Sequence, residues 1–306
     1  MTQPITLDSH EIQLSNTEKV FLPDAELTKG DVINYYAHIA DVMMPYLQNR
    51  PLNMHRFPNG LTGEGFFQQN APDYFPDWIR RSLVKKENGH VTHAVCDQAA
   101  TLVYLANQAC MTPHIWLSQC DRLNYPDRMI FDLDPPDDDF EIVRDAARSL
   151  RDIIHDVGLR AFVMTTGSRG LHVVVPLDRT STFDDARTVA QDLATVLAHR
   201  DPERLTTAQY IDQRNGRLFL DTKRNAYAQT SVAPYSVRAK QGAPVATPLD
   251  WDELSDHSLH AQSYTIQNIF RRLGQKPDPW QVMLNQPCSL DQARSALNDL
   301  MATIPG

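Results

Sequence analysis

The run Met129-Ile130-Phe131-Asp132-Leu133-Asp134-Pro135-Pro136 constrains this 306-residue chain more than any other stretch. Side chains of a strand alternate between faces, so Asp132 and Asp134 share one face while Phe131 and Leu133 point to the other. Such a strand has an apolar side for a core and carries two adjacent carboxylates on its other side. Those carboxylates repel each other unless a cation stands between them. A divalent metal is the usual answer, and oxygen ligands select Mg2+ or Mn2+. The alternative is a strand end with two solvated carboxylates. The strongly apolar opposite face and the abrupt stop at Pro135-Pro136 favour the metal reading. The D-x-D spacing by itself occurs in many transferases, nucleases and phosphatases. Asp137, Asp138, Asp139 and Glu141 just beyond it read as a solvated loop and helix N-terminus, where acidic side chains suit the dipole.

Around that strand the pattern alternates between short strands and amphipathic helices. Residues 28–48 read as a helix: Thr28 and Asp31 resemble a capping box, Val32, Ile33, Tyr36, Ile39, Ala40 and Met43 follow at helical spacing, and Pro45 is expected to end or kink it. Strand-like segments follow at 53–57, 65–69, 91–96, 102–106, 114–119 and 129–134. Residues 141–157 form a second helix closed by Gly158, 161–166 and 172–177 are strands about a tight turn, and 183–199 is a third helix. A strand at 217–221 and helices at 266–273 and 290–301 complete the chain. Hairpin-length links dominate, so the expected fold is α+β with a central, mostly antiparallel sheet flanked by helices. We expect one catalytic module over 1–306: a lead-in at 1–50, a core at 51–260 and a helical segment at 261–306.

Three further segments carry candidate chemistry. Thr166-Gly167-Ser168-Arg169-Gly170-Leu171-His172 places a glycine turn, a hydroxyl and a cation between two apolar strands. Exposed backbone N–H groups and the arginine suit phosphate oxygens, and an ordinary hairpin fits the same pattern equally well. Arg217 to Asn225 is again an apolar strand ending in an aspartate, Asp221, followed by Lys223 and Arg224. Between 204 and 240 seven basic and two acidic residues give a local charge of +5, which beside Asp221 suggests a metal with a polyphosphate. Phe66 and Phe67, near Arg56, Arg80, Arg81, Lys85 and Lys86, are adjacent on a strand and face opposite ways. One could stack on a base; composition alone favours a core pair.

Composition sets the class. A hydrophobic content of 42% supports a packed core. No run reaches the roughly 18–20 apolar residues of a membrane helix, and the first residues lack the basic-then-apolar order of a signal peptide. Four cysteines do not make a disulfide framework. Cys96, Cys110, Cys120 and His114, with His93, fit no common zinc spacing and read as buried small residues with neighbouring histidines. These features predict a cytoplasmic protein without membrane contact. The net charge of −9 argues against a protein that merely coats nucleic acid, which is basic overall.

Taken together the segments resemble the polymerase domain of bacterial ATP-dependent DNA ligase D, a branch of the archaeo-eukaryotic primase superfamily. The likeness runs from Leu27-Thr28-Lys29-Gly30-Asp31 through Gly65-Phe66-Phe67-Gln68, Pro113-His114-Ile115-Trp116, Phe131-Asp132-Leu133-Asp134-Pro135 and the Gly167–His172 turn to Ala233-Pro234-Tyr235-Ser236-Val237-Arg238. It implies a template-dependent nucleotidyltransferase that favours ribonucleotides and fills gaps or extends ends in non-homologous end joining. By the resemblance, Asp132, Asp134 and Asp221 hold two Mn2+ or Mg2+ ions. Ser168, Arg169, His172, Arg238, Thr166, His114 and Arg224 surround the incoming NTP or dNTP. Lys19 and Lys29 take the 5′-phosphate of a gap, Phe66 and Phe67 meet the template base, and Arg214 belongs to the DNA-binding set. Implied partners are DNA ends, the Ku protein and a ligase module, with a nucleoid association. The chain departs from the pattern at Gln69, His55, Arg224 and Arg169, where Arg169 stands for the usual lysine. Rival readings are a primase that starts strands de novo, a non-catalytic DNA-end scaffold, and a metal-dependent phosphoesterase or nuclease.

Overall fold

A computed structural model describes residues 3–86, 88–137, 139–302 and 304. The strands and helices begin with β1 (Gln3–Leu7), β2 (His10–Leu14), β3 (Val20–Leu22), β4 (Leu27–Thr28), α1 (Lys29–Leu47), β5 (Leu52–Arg56) and β6 (Phe66–Gln68). Next come β7 (Arg81–Lys86), β8 (Gly89–Ala94), α2 (Ala99–Asn107), β9 (Cys110–Trp116), β10 (Arg128–Asp134), α3 (Phe140–Asp156), β11 (Phe162–Thr165) and β12 (Leu171–Pro176). The series ends with α4 (Phe183–Arg200), β13 (Leu205–Thr206), α5 (Ile211–Arg214), β14 (Leu218–Asp221), β15 (Thr230–Val232), β16 (Pro248–Leu249), α6 (Ile269–Gln275) and α7 (Leu290–Ala302). The architecture is α+β with antiparallel pairing, except for the short parallel pair β13–β14. No helix among the described residues is long and apolar enough to cross a membrane.

The chain gathers into two compact units. The first joins Met1–Trp116, Thr230–Ala246 and Tyr264–Lys276. Its sheet has the order β15–β9–β5–β6, leaving the three-residue β6 at the edge. Helix α1 opens with the expected capping box, Thr28 with Asp31. Its Val32, Ile33, Tyr36, Ile39, Ala40 and Met43 are buried. Pro45 does not stop it: proline removes one N–H near the end of the last turn, and Tyr46 and Leu47 go on to bury their side chains. Residues 102–106, expected as a strand, lie instead within α2. Their continuous apolar run is what a helix buried nearly all round also shows, and such a run has no period that separates the two. Phe66 and Phe67 are 46% and 55% exposed, so the core-pair reading from composition does not hold.

The second unit joins Leu117–Gln229, Thr247–Ser263 and Pro277–Gly306. Its sheet runs β13–β14–β10–β12–β11–β16. Helices α3 and α4 pack on this sheet against β10 and β12, and α7 packs on α4. Met129, Phe131 and Leu133 of β10 and Val173 and Val175 of β12 are fully buried, as are Leu150, Ile153 and Ile154 of α3 and Leu193 of α4. The alternate β10 side chains Asp132 and Asp134 remain partly exposed. Asp139 caps α3 by accepting from the Glu141 N–H at 2.9 Å, while Asp138 lies outside the described residues. Cys96, Cys110 and Cys288 are buried thiols, and burial pushes that of Cys110 up to about 12.

Candidate active site

The centre of the second unit's site is a row across three strands. Asp132 on β10 stands opposite Asp221 on β14 and, on its other flank, opposite His172 on β12. Cross-strand partners share a face, so the three side chains point to one side of the sheet, with Asp134 two residues farther along. Two arginines and a histidine close in on these carboxylates. His172 Nε2 is 3.4 Å from Asp132 Oδ1, Arg224 Nε is 3.6 Å from Asp132 Oδ2, and Arg169 Nη2 is 3.5 Å from Asp134 Oδ2. Burial, and then the charge of Asp132, still push the Asp134 carboxyl above the usual range, against the opposing pull of Arg169 and His172. The three carboxylates border a cleft of about 460 Å3, whose other walls include Arg169, Arg214, Arg217, Phe219 and Lys223. Arg214 lies over the Phe219 ring at 4.0 Å.

The glycine turn is built from within. Thr166 Oγ1 accepts from the N–H groups of Ser168 (3.2 Å) and Gly170 (3.3 Å) and donates to Gly170 O (3.1 Å). Thr166 is buried and holds the loop's shape, while Arg169 reaches the cleft. Gly167 has φ +63°, a left-handed turn that glycine adopts freely.

The remaining candidates lie in the first unit. Phe67 and His114 meet edge to face, with ring centres 5.2 Å apart, and burial, then the charge of Arg238, disfavours protonation of His55. Lys19 and Lys29 come together where β3 pairs with β4: the Lys29 N–H donates to Lys19 O at 2.8 Å. Lys19 Nζ donates to Pro58 O and Asn59 Oδ1. Lys29 is only 5% exposed, and its ammonium donates to Ser15 O at 2.5 Å and Asn107 Oδ1 at 3.0 Å. Burial, with Lys19 and Arg56 nearby, lowers Lys29 to about 8.

A family model of the LigD primase-polymerase domain matches residues 28–280. The chain belongs to this family. It is 34% identical over 262 residues to the multifunctional non-homologous end joining DNA repair protein LigD of Mycobacterium tuberculosis H37Rv, which covers 83% of this chain and 34% of that protein. It is 31% identical over 272 residues to the bifunctional non-homologous end joining protein LigD of Bacillus subtilis, covering 88% and 44% of the two chains. The chain thus spans about a third to under half the length of these relatives. Among solved structures, the polymerase domain of Mycobacterium tuberculosis ligase D in complex with DNA matches with a TM-score of 0.84 at 29% identity, over 90% of this chain and 99% of that one.

Two supporting residues escaped the sequence reading. Asn225 accepts from Ile130 N–H at 2.8 Å and donates to Ile130 O at 2.7 Å, clamping β10 two residues before Asp132. Gln262 donates to Ser168 O at 2.6 Å from a segment far along the chain. Arg56, which the sequence places only near Phe66 and Phe67, adds a third cation to the Lys19–Lys29 pair. Only Asn225 had a local sign, its place just after Asp221, Lys223 and Arg224. An Asn225→Leu change strands a buried N–H and C=O of β10, so we expect a loss of about 2–4 kcal/mol, checked by the denaturant midpoint.

Proposed function

We propose that this chain is a template-dependent nucleotidyltransferase, one catalytic module over 1–306, that extends a primer strand at gaps and broken DNA ends. The observation that carries this reading is the Asp221–Asp132–His172 row with Asp134 beside it, in a cleft that also holds Arg169, Arg214 and Lys223. The family membership and the DNA-bound solved relative support it.

The residues suit divalent ions in kind. Asp132, Asp134 and Asp221 offer hard carboxylate oxygens on one sheet face, and burial, then the charge of Asp132, disfavours ionisation of Asp134 more than Arg169 and His172 offset. Among the described residues no three such groups are already drawn together as a metal cage, and arginine and histidine stand at the carboxylates in their place. When bound to these aspartates, two Mn2+ or Mg2+ ions would supply charge for activating a 3′-hydroxyl and stabilising the leaving pyrophosphate. The chain's own residues do the rest. Arg169, with its fork of donors, orients triphosphate oxygens at the rim of the turn. His172, buried beside Asp132, keeps that carboxylate aligned toward the cleft. Arg214 and Lys223 offset phosphate charge on the strand being extended. Arg238, His114, Phe66 and Phe67 serve the nucleotide and template, and Ku and a ligase module are the chain's expected partners in the joining reaction.

Primer extension on gapped DNA, with and without a 5′-phosphate, tests this with ribo- and deoxynucleotides and with Mn2+ and Mg2+. Extension favouring ribonucleotides and Mn2+ supports the reading; degradation of DNA, or no addition, overturns it. Product from unprimed template would instead mark a primase.

Lys29 adds a pH signature. Its proton is favoured by a bound phosphate and leaves the free chain near pH 8. Preference for a 5′-phosphate over a 5′-hydroxyl should therefore be constant at neutral pH and fall as pH rises through about 8. Binding titrations across that range check it: Lys29→Arg should flatten the profile, and Lys29→Ala should remove the preference.

A further inference from the structure

Phe67 is a large ring more than half exposed on a three-residue edge strand, where little backbone structure fixes its direction. The structure supplies a wall for it. His55, its direct cross-strand partner on β5, lies parallel to it with ring centres 4.1 Å apart and planes 9° from each other. Phe57 packs against the same imidazole at 4.5 Å, and His114 meets the Phe67 ring edge to face. The β5–β9 register slips between His55 and Arg56, and bulges of this kind re-aim side chains. Gly65, just before β6, passes the Phe57 ring so closely that a Cβ there would lie 2.3 Å from it. Backbone irregularity and a forced close approach thus converge on one stack. On the opposite face of β5, Arg56 backs Phe66 in the same cross-strand way, at 5.7 Å from its ring centre.

From this geometry we infer that His55 is a positioning residue that holds Phe67 as a flat, pre-oriented surface for a nucleobase. The inference rests on the nucleotidyltransferase reading for its ligand. An exposed aromatic that must first be ordered loses rotamer freedom on binding; a ring already stacked on its partner has lost it in folding. Burial, and Arg238 beside it, hold the imidazole below its ordinary value, so near neutral pH the stack joins two uncharged rings. The role therefore requires a flat ring at position 55, and a positive charge there does not replace it.

The test uses the full chain with 4-fluorophenylalanine placed at position 67, and His55→Ala, His55→Phe and His55→Lys variants. In the free protein, fluorine NMR should show the resonance moving in His55→Ala, as the imidazole ring current is lost, while His55→Phe keeps a stacked-ring shift. Affinity for a single-stranded oligonucleotide carrying 2-aminopurine should fall about 3–10-fold in His55→Ala and return in His55→Phe. In primer extension the same loss should appear in KM with kcat retained. A Phe67→Ala background should make the His55→Ala change silent. An unmoved fluorine resonance in His55→Ala, or rescue by His55→Lys but not by His55→Phe, overturns the inference. Failure of the unaltered chain to add nucleotides would overturn the nucleotidyltransferase reading instead, since the fluorine and oligonucleotide measurements do not depend on catalysis.

Discussion

Asp134→Asn should abolish nucleotide addition while leaving a chain that melts no lower than the parent. Burial and the neighbouring Asp132 both disfavour charge at Asp134, and Arg169 and His172 offset them only in part. A group whose folded-state pKa is raised binds its proton more readily folded than unfolded. Above that pKa its ionisation therefore lowers stability, and the neutral amide removes this cost at neutral pH. The lost partner of Arg169 matters little, because that pair is 3.5 Å apart and about half exposed on both sides. Catalytic sites commonly store such a penalty. Adding Mn2+ separates the two effects. An ion that binds only the folded chain raises its stability by about 2.7 kcal/mol at a concentration a hundred times its Kd. The parent's melting midpoint should rise with Mn2+ and that of Asp134→Asn should respond weakly. Extension by the variant at saturating Mn2+ would contradict the assignment of the carboxylates.

The D-x-D strand was legible because a strand's period is two: Phe131 and Leu133 had to enter the core if Asp132 and Asp134 faced the cleft, and they do. The turn from Gly167 to Gly170 was legible for a similar reason, since glycine and a flanking pair of apolar strands mark a hairpin locally. What the sequence hid is non-local. Asn225 reaches β10 across 95 residues and Gln262 reaches Ser168 across 94, and no local pattern tells which strand or turn either one meets. Helix α2 was misread because burial on nearly every side erases periodicity. Phe66 and Phe67 misled in the opposite sense: two adjacent phenylalanines look like core, and the structure exposes both, each against a cross-strand partner. Arg214, Arg217 and Lys223 of the basic stretch at 204–240 line the same cleft as the carboxylates, where the expected polyphosphate beside Asp221 would meet them.

Gly170→Ala should be the most damaging single-methyl change in the second unit. A Cβ at Gly170 would lie 1.9 Å from the Leu133 carbonyl oxygen and 2.8 Å from Asp134 Oδ1. The first of these is backbone of β10, held on one side by β12 and on the other by β14, so it cannot rotate away. The turn must lift instead, taking Arg169 off Asp134 and straining the Leu133–Leu171 and Asp132–His172 pairs. Overpacking of this kind costs about 1–3 kcal/mol. Displacement of a catalytic group by about 1 Å costs on the order of 10²-fold in rate. Two other glycines calibrate the result. Gly274, in α6, has nothing within 4 Å of its Cβ position, so alanine there should stabilise by about 0.5–1 kcal/mol. Gly216 also has open space but φ +74°, so alanine there should cost about 1–2 kcal/mol through backbone strain alone. If extension rate and melting midpoint fall in Gly170→Ala no further than in Gly216→Ala, the turn is free to move and does not fix Arg169 over the carboxylates. A loss in rate much larger than the loss in stability would show that the close approach of this turn to β10 sets the geometry of the cleft.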